Sequence, residues 1–508
     1  MSLEATGVGL ACLRAMNAGL GLALSMALAA VFGVSREADA LFVALSLGVF
    51  LARDLSRVVR TAAVPCLVEH DEGRDNAALP AMLQSAVGLL ALGIAALTWA
   101  AAPWIVALIS PGFDAPTAWR AQRLLRLLSP SLLLFLMFGS AQAAFHARRW
   151  FLLPELAETA WRVIAIGALL TLGRQRGVEA YAAALLAAAF VQWSALVLVG
   201  ARAGLRILPA RWIPLRPASL YPFWLGAAVV LCSVIQMQVE GILDRAVISC
   251  MDPGSIALFF YAERLAHVMP MLLSTSLLIP WLPEIARIRA RVGDPVRLAK
   301  QGSLFLAALG VLLAAVIVWA ARDVVTFFLL HGKFDAPHAE VVILALRAFA
   351  LGIPAIFCVQ CLAGLYLVER NLKAMARTGS VAILVHAAGN LLLRHWAVPG
   401  IALSGSLTVW FVALYLWRSI HSREPVSFDW LRFAVATAIV LAVLYVLPWP
   451  ALVSWAPARV AAGAFAGWAI YTAVMWPAVR RMQAYERGAL CSDSCGALDL
   501  PDRNLPKL

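Results

Sequence analysis

Phe113-Asp114-Ala115-Pro116 returns in register as Phe334-Asp335-Ala336-Pro337, and that recurrence decides the fold. Carried forward at the same offset, Leu125-Arg126 falls on Leu346-Arg347, Phe145 on Tyr366 and Arg149 on Arg370, with no gap. Upstream, at a slightly different offset, Ala40-Leu41-Phe42 answers Ala257-Leu258-Phe259. A long internal repeat fixes architecture before any local motif does. The repeated unit is apolar and spans a bilayer several times, and duplicated membrane halves around a central site are the plan of a transporter.

Composition agrees. The chain of 508 residues is 63% hydrophobic and 14% charged, a balance that belongs to a polytopic membrane protein. Its net charge of +13 does not indicate nucleic acid, because the basic residues sit in short loops between apolar runs. Between Met1 and Gly7 there is neither a charged n-region nor an Ala-x-Ala-type cleavage site, so the first apolar run is expected to be retained. Cys12, Cys66, Cys232, Cys250, Cys358 and Cys361 lie in or beside apolar runs and read as packing residues. Cys491 and Cys495 have no second pair to complete a metal site, and no metal or cofactor is expected.

Runs of about 20 apolar residues mark about fourteen spans. They lie near 8–33, 40–64, 81–109, 124–146, 152–173, 179–201, 220–248, 255–283, 302–330, 339–367, 375–394, 398–418, 430–448 and 458–479. The cut around Arg394 to Gly400 is the least distinct. Even-numbered loops and the tail hold roughly 24 basic residues against roughly 7 in the odd loops, which puts both termini in the cytoplasm. The repeat offset of six spans is even, so the two copies point the same way. The expected organisation is all-α: an N-lobe over 1–203, a basic cytoplasmic linker over 204–219 and a C-lobe over 220–420. Two further spans over 421–480 and a cytoplasmic tail over 481–508 complete it.

Several charges fall inside spans. Arg14 is in the first; Glu37, Asp39, Arg53, Asp54, Arg57 and Arg60 are in or at the mouth of the second. Glu240, Asp244 and Arg245 are in the seventh, and Glu263, Arg264 and His267 in the eighth. A charge at the bilayer centre costs roughly 2.5–3.5 kcal/mol on the insertion scale, so these groups should face a polar cavity. Arg53, Arg57 and Arg60 share a helix face, although snorkelling to the inner surface also fits the last two. Glu158 and Arg162 read as a structural i,i+4 salt bridge, and His386 with Asn390 as an interhelical hydrogen-bond pair. Arg126 and Arg347, at the repeated position, read as structural anchors. Pro270, Pro280 and Pro283 would bend the eighth span.

Three stretches stand out: Phe32-Gly33-Val34 with Ala38-Asp39-Ala40-Leu41-Phe42-Val43-Ala44; Gly254-Ser255 with Tyr261-Ala262-Glu263-Arg264-Leu265, Pro270 and Leu282-Pro283; and Gly332-Lys333-Phe334 with Ala345-Leu346-Arg347-Ala348-Phe349-Ala350-Leu351-Gly352. Together they resemble the MurJ/MviN-type lipid II flippases. The resemblance covers spans 1 to 12. It implies two parallel six-helix lobes in a V, a central cationic cavity for a diphosphate-linked headgroup, and a groove for the polyprenyl tail formed by the last two spans. It implies Arg53, Arg264, Arg14 and Arg57 as headgroup ligands, since guanidinium pairs phosphate bidentately. Asp39, Glu263, Asp244 and Glu240 become supporting or ion-coupling acids, with the membrane potential, Na+ or H+ as driving force.

The chain departs from the pattern in places. Ala18 and Leu24 stand where the family carries first-span arginines, Ala52 replaces one of an arginine pair, and Glu263 replaces an aspartate. Three readings follow: a flippase for lipid II, a flippase for an exopolysaccharide or capsule lipid-linked oligosaccharide, or a cation-coupled drug antiporter of the same superfamily. The faint acidic pair Glu37-Ala38-Asp39 is the single hint of a membrane enzyme, and no large outer loop accompanies it. The partners expected are a polyprenyl-diphosphate glycolipid and the bacterial inner membrane, without nucleic acid. The orientation is testable: a cysteine placed at Asp335 should react with an impermeant thiol reagent added outside intact cells, and one at Arg291 should not. The reverse pattern would overturn the orientation.

Overall fold

The computed structural model describes residues 3–71, 79–205, 207–208, 217–268, 270, 295–368, 372–420, 430–447, 449, 453 and 455–474. Among these, all regular structure is helical. Helix α1 is Leu3–Phe32. Helix α2 runs through Arg36–Leu45, a π-helical turn Ser46–Leu51 and Ala52–Asp71. Helix α3 joins Leu79–Ala100 to Ala102–Ile109, and α4 is Ala115–Ala147. Helix α5 is Leu152–Ala168 with a π turn Leu169–Gly173, and α6 is Arg174–Arg202. Helix α7 is Pro217–Ile248, and α8 covers 255–268. Then come α9 (Pro295–Leu329), α10 (Ala336–Ala350 and Ile353–Val368) and α11 (Leu372–Leu393). Helices α12 (Ala397–Ser419), α13 (Trp430–Val446) and α14 (456–474) close the chain.

The repeated Phe-Asp-Ala-Pro motif proves to be a helix start. Asp335 is the N-cap of α10, its Oδ1 accepting the His338 N–H at 3.3 Å, and Pro337 occupies the first turn. Asp114 holds the same position before α4 but pairs with Arg36. Caps therefore begin α4 at Ala115, well before the apolar run expected from 124. Prolines set the interruptions: α3 breaks at Ala101 before Pro103, and α10 at Leu351-Gly352 before Pro354. The corner between α5 and α6 is at Gly177, with φ 82°, inside the expected cut between 173 and 179 and at a residue free to adopt it. Across the indistinct cut, a 3-10 turn Arg394–Trp396 and Ala397 at φ 53° keep α11 and α12 separate.

Among the described residues, seven continuous stretches are apolar and long enough to cross a membrane, and two of them, Leu152–Arg202 (51 residues) and Lys373–Ser419 (47 residues), are long enough to cross twice. Helix α2 is not among them because of its charges. Pro280, Pro283, Arg211, Arg216, Arg287, Arg289, Arg291, Arg370 and the tail cysteines lie outside the described residues, as do most of the 204–219 linker and all of 481–508.

The repeat is visible in who packs on whom. In the first half α3 packs on α4, α4 on α6, α5 on α6 and α1 on α5; in the second, α9 packs on α10, α10 on α12, α11 on α12 and α7 on α11. Each second-half pair is the first-half pair displaced by six helices. Arg126 and Arg347 serve as matching braces: the Nε of Arg126 donates to the Trp99 carbonyl at 3.4 Å, and that of Arg347 to the Val318 carbonyl at 3.3 Å.

The halves meet in a seam where α1 passes into α2. Phe42 stacks on Phe260 at 4.2 Å, and Tyr261 meets both Phe42 and Phe334 edge-on. The Tyr261 hydroxyl donates to the Gly33 carbonyl at 3.1 Å, and the Lys333 N–H to the Ala30 carbonyl at 3.0 Å. Gly33 has φ 59°, and a Cβ there would lie 2.7 Å from the Lys333 carbonyl oxygen. Gly33→Val should therefore cost about 1–2 kcal/mol in backbone strain alone and part the seam. A cysteine at Val34 should then react markedly faster with an impermeant thiol reagent; unchanged labelling would show that the seam does not depend on this contact.

Candidate functional site

The π turn of α2 immediately precedes the charged stretch, and such turns re-aim the side chains beside them. The Nη2 of Arg53 donates to Glu158 Oε2 at 3.2 Å, and its guanidinium lies over the Trp161 ring at 4.6 Å. Arg162 reaches the same Glu158 oxygen at 3.4 Å, so one carboxylate holds two cations. Gln142 of α4 donates to Glu158 Oε1 at 3.4 Å and accepts from Arg60 at 3.2 Å. Asn17 of α1 accepts from Thr159 and Arg162, each at 3.0 Å, and donates to Glu155 at 3.4 Å. Arg14 joins through Glu155 at 3.5 Å, its side chain 54% exposed.

On the facing half, Arg264 of α8 lies over Phe50 at 5.6 Å and Phe260 at 5.5 Å. It is exposed and has no ion-pair partner within 4 Å among the described residues. Arg57, 58% exposed, pairs with Asp54 at 3.2 Å, and Asp54 accepts from Gln238 of α7 at 3.0 Å, a hydrogen bond between the halves. Arg53 feels the charges of Arg162, Arg264 and Arg57 together. Six arginines (14, 53, 57, 60, 162, 264) thus gather against four carboxylates (Asp54, Glu155, Glu158, Glu263), and the surplus is positive. Such a group can bind a polyanion bidentately from two sides.

The structure brings Arg53, Arg57, Arg264 and, through Glu155, Arg14 into one neighbourhood, with Glu263 beside Arg264. It sets Asp39 apart. Asp39 lies in the seam, its Oδ2 accepting the Gly254 N–H at 2.6 Å and its Oδ1 the Ala257 N–H at 2.9 Å. It caps the N-terminus of α8 from the other half. Asp244 is likewise separate, hydrogen-bonded to His386 and Asn390, as the interhelical reading of those two residues expected. Glu240 accepts from Gln236 at 3.2 Å one turn away on α7. Glu158 with Arg162 forms the expected i,i+4 pair, but its tie to Arg53 was not anticipated. The polar stripe Glu155, Glu158, Thr159 and Arg162, at helical spacing on one face of α5, was the available signal. Among the described residues no cluster could hold a metal ion. Of the departures from the family pattern, Ala52 is fully buried and Leu24 packs against the seam core.

Comparisons with known proteins follow the same lines. The family model described as lipid II flippase MurJ matches residues 28–465. A lipid II flippase MurJ of Burkholderia cenocepacia is 25% identical over 451 residues, covering 83% of this chain and 85% of its own. A solved lipid II flippase MurJ in an inward closed conformation superposes with a TM-score of 0.79 at 18% identity, over 92% of this chain and 99% of that one. A multidrug resistance MATE-family transporter of the MOP superfamily, inward-facing, gives 0.66 at 13% identity, over 79% and 94%. At these identities the structures speak to the fold.

The Glu158 junction makes a prediction. Glu158→Gln leaves two intramembrane guanidinium groups without their counter-charge, a change that in buried pairs costs about 3–5 kcal/mol and less where water reaches. Its melting temperature in detergent should fall clearly. Adding Arg162→Gln should recover part of the loss; a double variant no more stable than the single one would remove Glu158 as the shared counter-charge.

Proposed function

The chain belongs to the MurJ family of lipid II flippases, and we propose that it carries the diphosphate-linked headgroup of lipid II across the inner membrane between its two halves. It is a multi-pass bacterial inner-membrane protein and a transporter, not an enzyme. The observation that carries the binding site is Arg264: an exposed intramembrane cation without an acidic partner among the described residues, facing the arginines of α2 across the halves. An uncompensated cation there is costly unless an anion arrives. Arg264 and Arg57 reach the diphosphate first. Arg53 is held ready by Glu158, and Arg14 extends the cationic surface toward the entrance.

With both termini cytoplasmic, as the lysine and arginine distribution favours, the Gly33–Asp39 seam is the periplasmic gate and is closed here. The headgroup then enters from the cytoplasmic side, and parting of the seam with rocking of the lobes releases it outward. The polyprenyl tail lies outside the lobes against α13 and α14. Exposed Leu431, Val435, Ile439 and Phe465 suit it, and Arg459 pins α14 to Asp323 of α9 at 2.5 Å. A cationic drug is a poor match for an arginine surplus, so the shared MATE architecture does not favour the antiporter reading.

Replacing Arg264 by Ala should abolish growth support in cells depleted of their own lipid II flippase while leaving membrane insertion intact. Arg264→Lys should rescue in part, because an ammonium lacks the bidentate fork. Loss of one charge-assisted contact is worth about 1.5–3 kcal/mol, roughly 10- to 150-fold in headgroup affinity. Full growth by Arg264→Ala would remove this site. Failure of the unsubstituted protein, with export of a different polyprenyl-linked glycan restored, would keep the mechanism and overturn lipid II as substrate.

A further inference from the structure

Helices α13 and α14 stand outside the repeat, and both lie on α9. Positions 459, 463, 467 and 471 of α14 fall one turn apart, on one helix face. Arg459 Nε donates to Asp323 Oδ2 at 2.9 Å and its Nη2 donates to Oδ1, a two-pronged pair whose side chains are 14% and 25% exposed. One turn on, a Cβ at Gly463 would lie 2.7 Å from the Trp319 ring. At Gly467 it would lie 3.1 Å from Leu312. Tyr471 is buried in the cluster of Ala308, Leu312 and Val316 of α9 with Ala436 and Val440 of α13. Trp449, between α13 and α14, meets Trp319 edge-on at 5.6 Å. Two glycines four residues apart let helices in a membrane approach closely. Separating Arg459 from Asp323 would leave two charges uncompensated in hydrocarbon. The α13–α14 hairpin therefore moves with α9.

The same helix carries part of the seam. Asp323 lies about 9 Å along α9 before its last residue, Leu329. Its neighbour Arg322 donates to Glu340 of α10 at 3.1 Å, and the Val318 carbonyl accepts from Arg347 at 3.3 Å, so the outer part of α9 is also braced to α10. Beyond Leu329 the turn is closed by its own hydrogen bonds. The His331 N–H reaches the Leu329 carbonyl at 2.6 Å, and the Phe334 N–H the His331 carbonyl at 3.3 Å. That turn grips α1. A Cβ at Gly332 would lie 2.4 Å from the Ala30 carbonyl oxygen, the same oxygen that accepts the Lys333 N–H at 3.0 Å. The path from Arg459 to Ala30 is thus one ion pair, a short length of helix and one closed turn.

When the seam parts, the 332–334 turn leaves Ala30, the outer end of α9 shifts with it, and the pinned hairpin follows. The apolar surface of Leu431, Val435, Ile439 and Phe465 then stands differently against the lobes in the closed and parted states. A polyprenyl tail on that surface binds the two states unequally, and a ligand that does so shifts the balance between them. We propose that Arg459 and Asp323 are positioning residues that couple the tail surface to the outer seam, so that a tail bound on the hairpin favours parting at Gly33. The direction rests on the flippase reading. The headgroup leaves outward while its tail is still on the hairpin, so the occupied hairpin must suit the parted seam. Without the pair the tail still binds, but its arrival no longer reaches α9.

The test uses the full-length protein carrying Val34→Cys, with modification of that position by an impermeant thiol reagent followed by mass spectrometry. Undecaprenyl diphosphate should raise the labelling rate at least about threefold, and inorganic diphosphate, which has no tail, should not. An equal effect of inorganic diphosphate assigns the response to the headgroup and overturns the proposal. With Asp323→Asn added, undecaprenyl diphosphate should still be retained by the immobilised protein, but the labelling rate should no longer respond. Reversing the pair, Asp323→Arg with Arg459→Asp, should restore the response in part. A full response in Asp323→Asn overturns the role of the pair. Should Asp323→Asn fail to fold, Arg459→Lys decides, because it keeps the charge and loses the fork: a weakened response supports the proposal and a full one overturns it. Retention of undecaprenyl diphosphate without faster labelling overturns the coupling and keeps the flippase reading. No retention by the protein with its pair intact overturns both.

Discussion

The price of a charge in hydrocarbon governs this molecule. Each intramembrane arginine costs roughly 2.5–3.5 kcal/mol unless it meets an acid or water. Arg53 and Arg162 meet an acid in common, Glu158, and Arg57 meets Asp54. Arg264 meets an acid in neither half among the described residues, so it requires an aqueous space beside it. That requirement fixes the arrangement of the halves. They must close on each other somewhere to form one body, and they must stay apart where the arginines face one another. The seam at Gly33 to Asp39 is the first place, and the space beside Phe50 and Arg264 is the second.

The seam itself is made so that it can open. Its strongest polar contact is between one carboxylate, Asp39, and two backbone N–H groups at the start of α8, where the helix dipole adds to the attraction. Hydrogen bonds to a charged group are worth about 1.5–3 kcal/mol each, enough to hold a state and small enough to break on a transport cycle. Around it the backbone approaches backbone at Gly33, Gly112 and Gly332, and the Val34 side chain at Gly254, so that any Cβ at these positions would collide with the other half. Surfaces that meet through glycine can part without repacking side chains. The aromatic group of Phe42, Phe260, Tyr261 and Phe334 supplies the apolar area that holds them together meanwhile.

The architecture was legible because a repeat and an apolar run are written along the chain. Helix starts were less so: α4 and α10 begin at Asp caps and prolines, upstream of the apolar signal. Arg53 and Arg264 were legible as misplaced charges, which is a property of one residue and its neighbours. Their partners were not, because Glu158 is a hundred residues from Arg53 and its helical neighbour Arg162 explained it sufficiently. Asp39 was recognisable as unusual, but its partners are backbone N–H groups, and every residue except proline has one. No sequence pattern marks which of them a distant carboxylate will find.

Duplication also explains where the two halves now differ. Helices α1 and α5 in the first half correspond to α7 and α11 in the second, and both interfaces carry a buried polar network. In the first it is Asn17, Glu155, Glu158, Thr159 and Arg162, with cations in attendance. In the second it is Asp244, held between helices by His386 and Asn390. The same interface has thus been given an arginine-bearing network in one lobe and an acid–imidazole–amide network in the other. Communication between them needs a physical link, and the hydrogen bond from Gln238 to Asp54 supplies one. Asp54 restrains Arg57, so a shift of α7 changes how freely that arginine can leave its acid for a diphosphate. Coupling in such a protein need not travel through the seam; it can pass from helix α7 in one lobe to a cation in the other through a single cross-lobe contact.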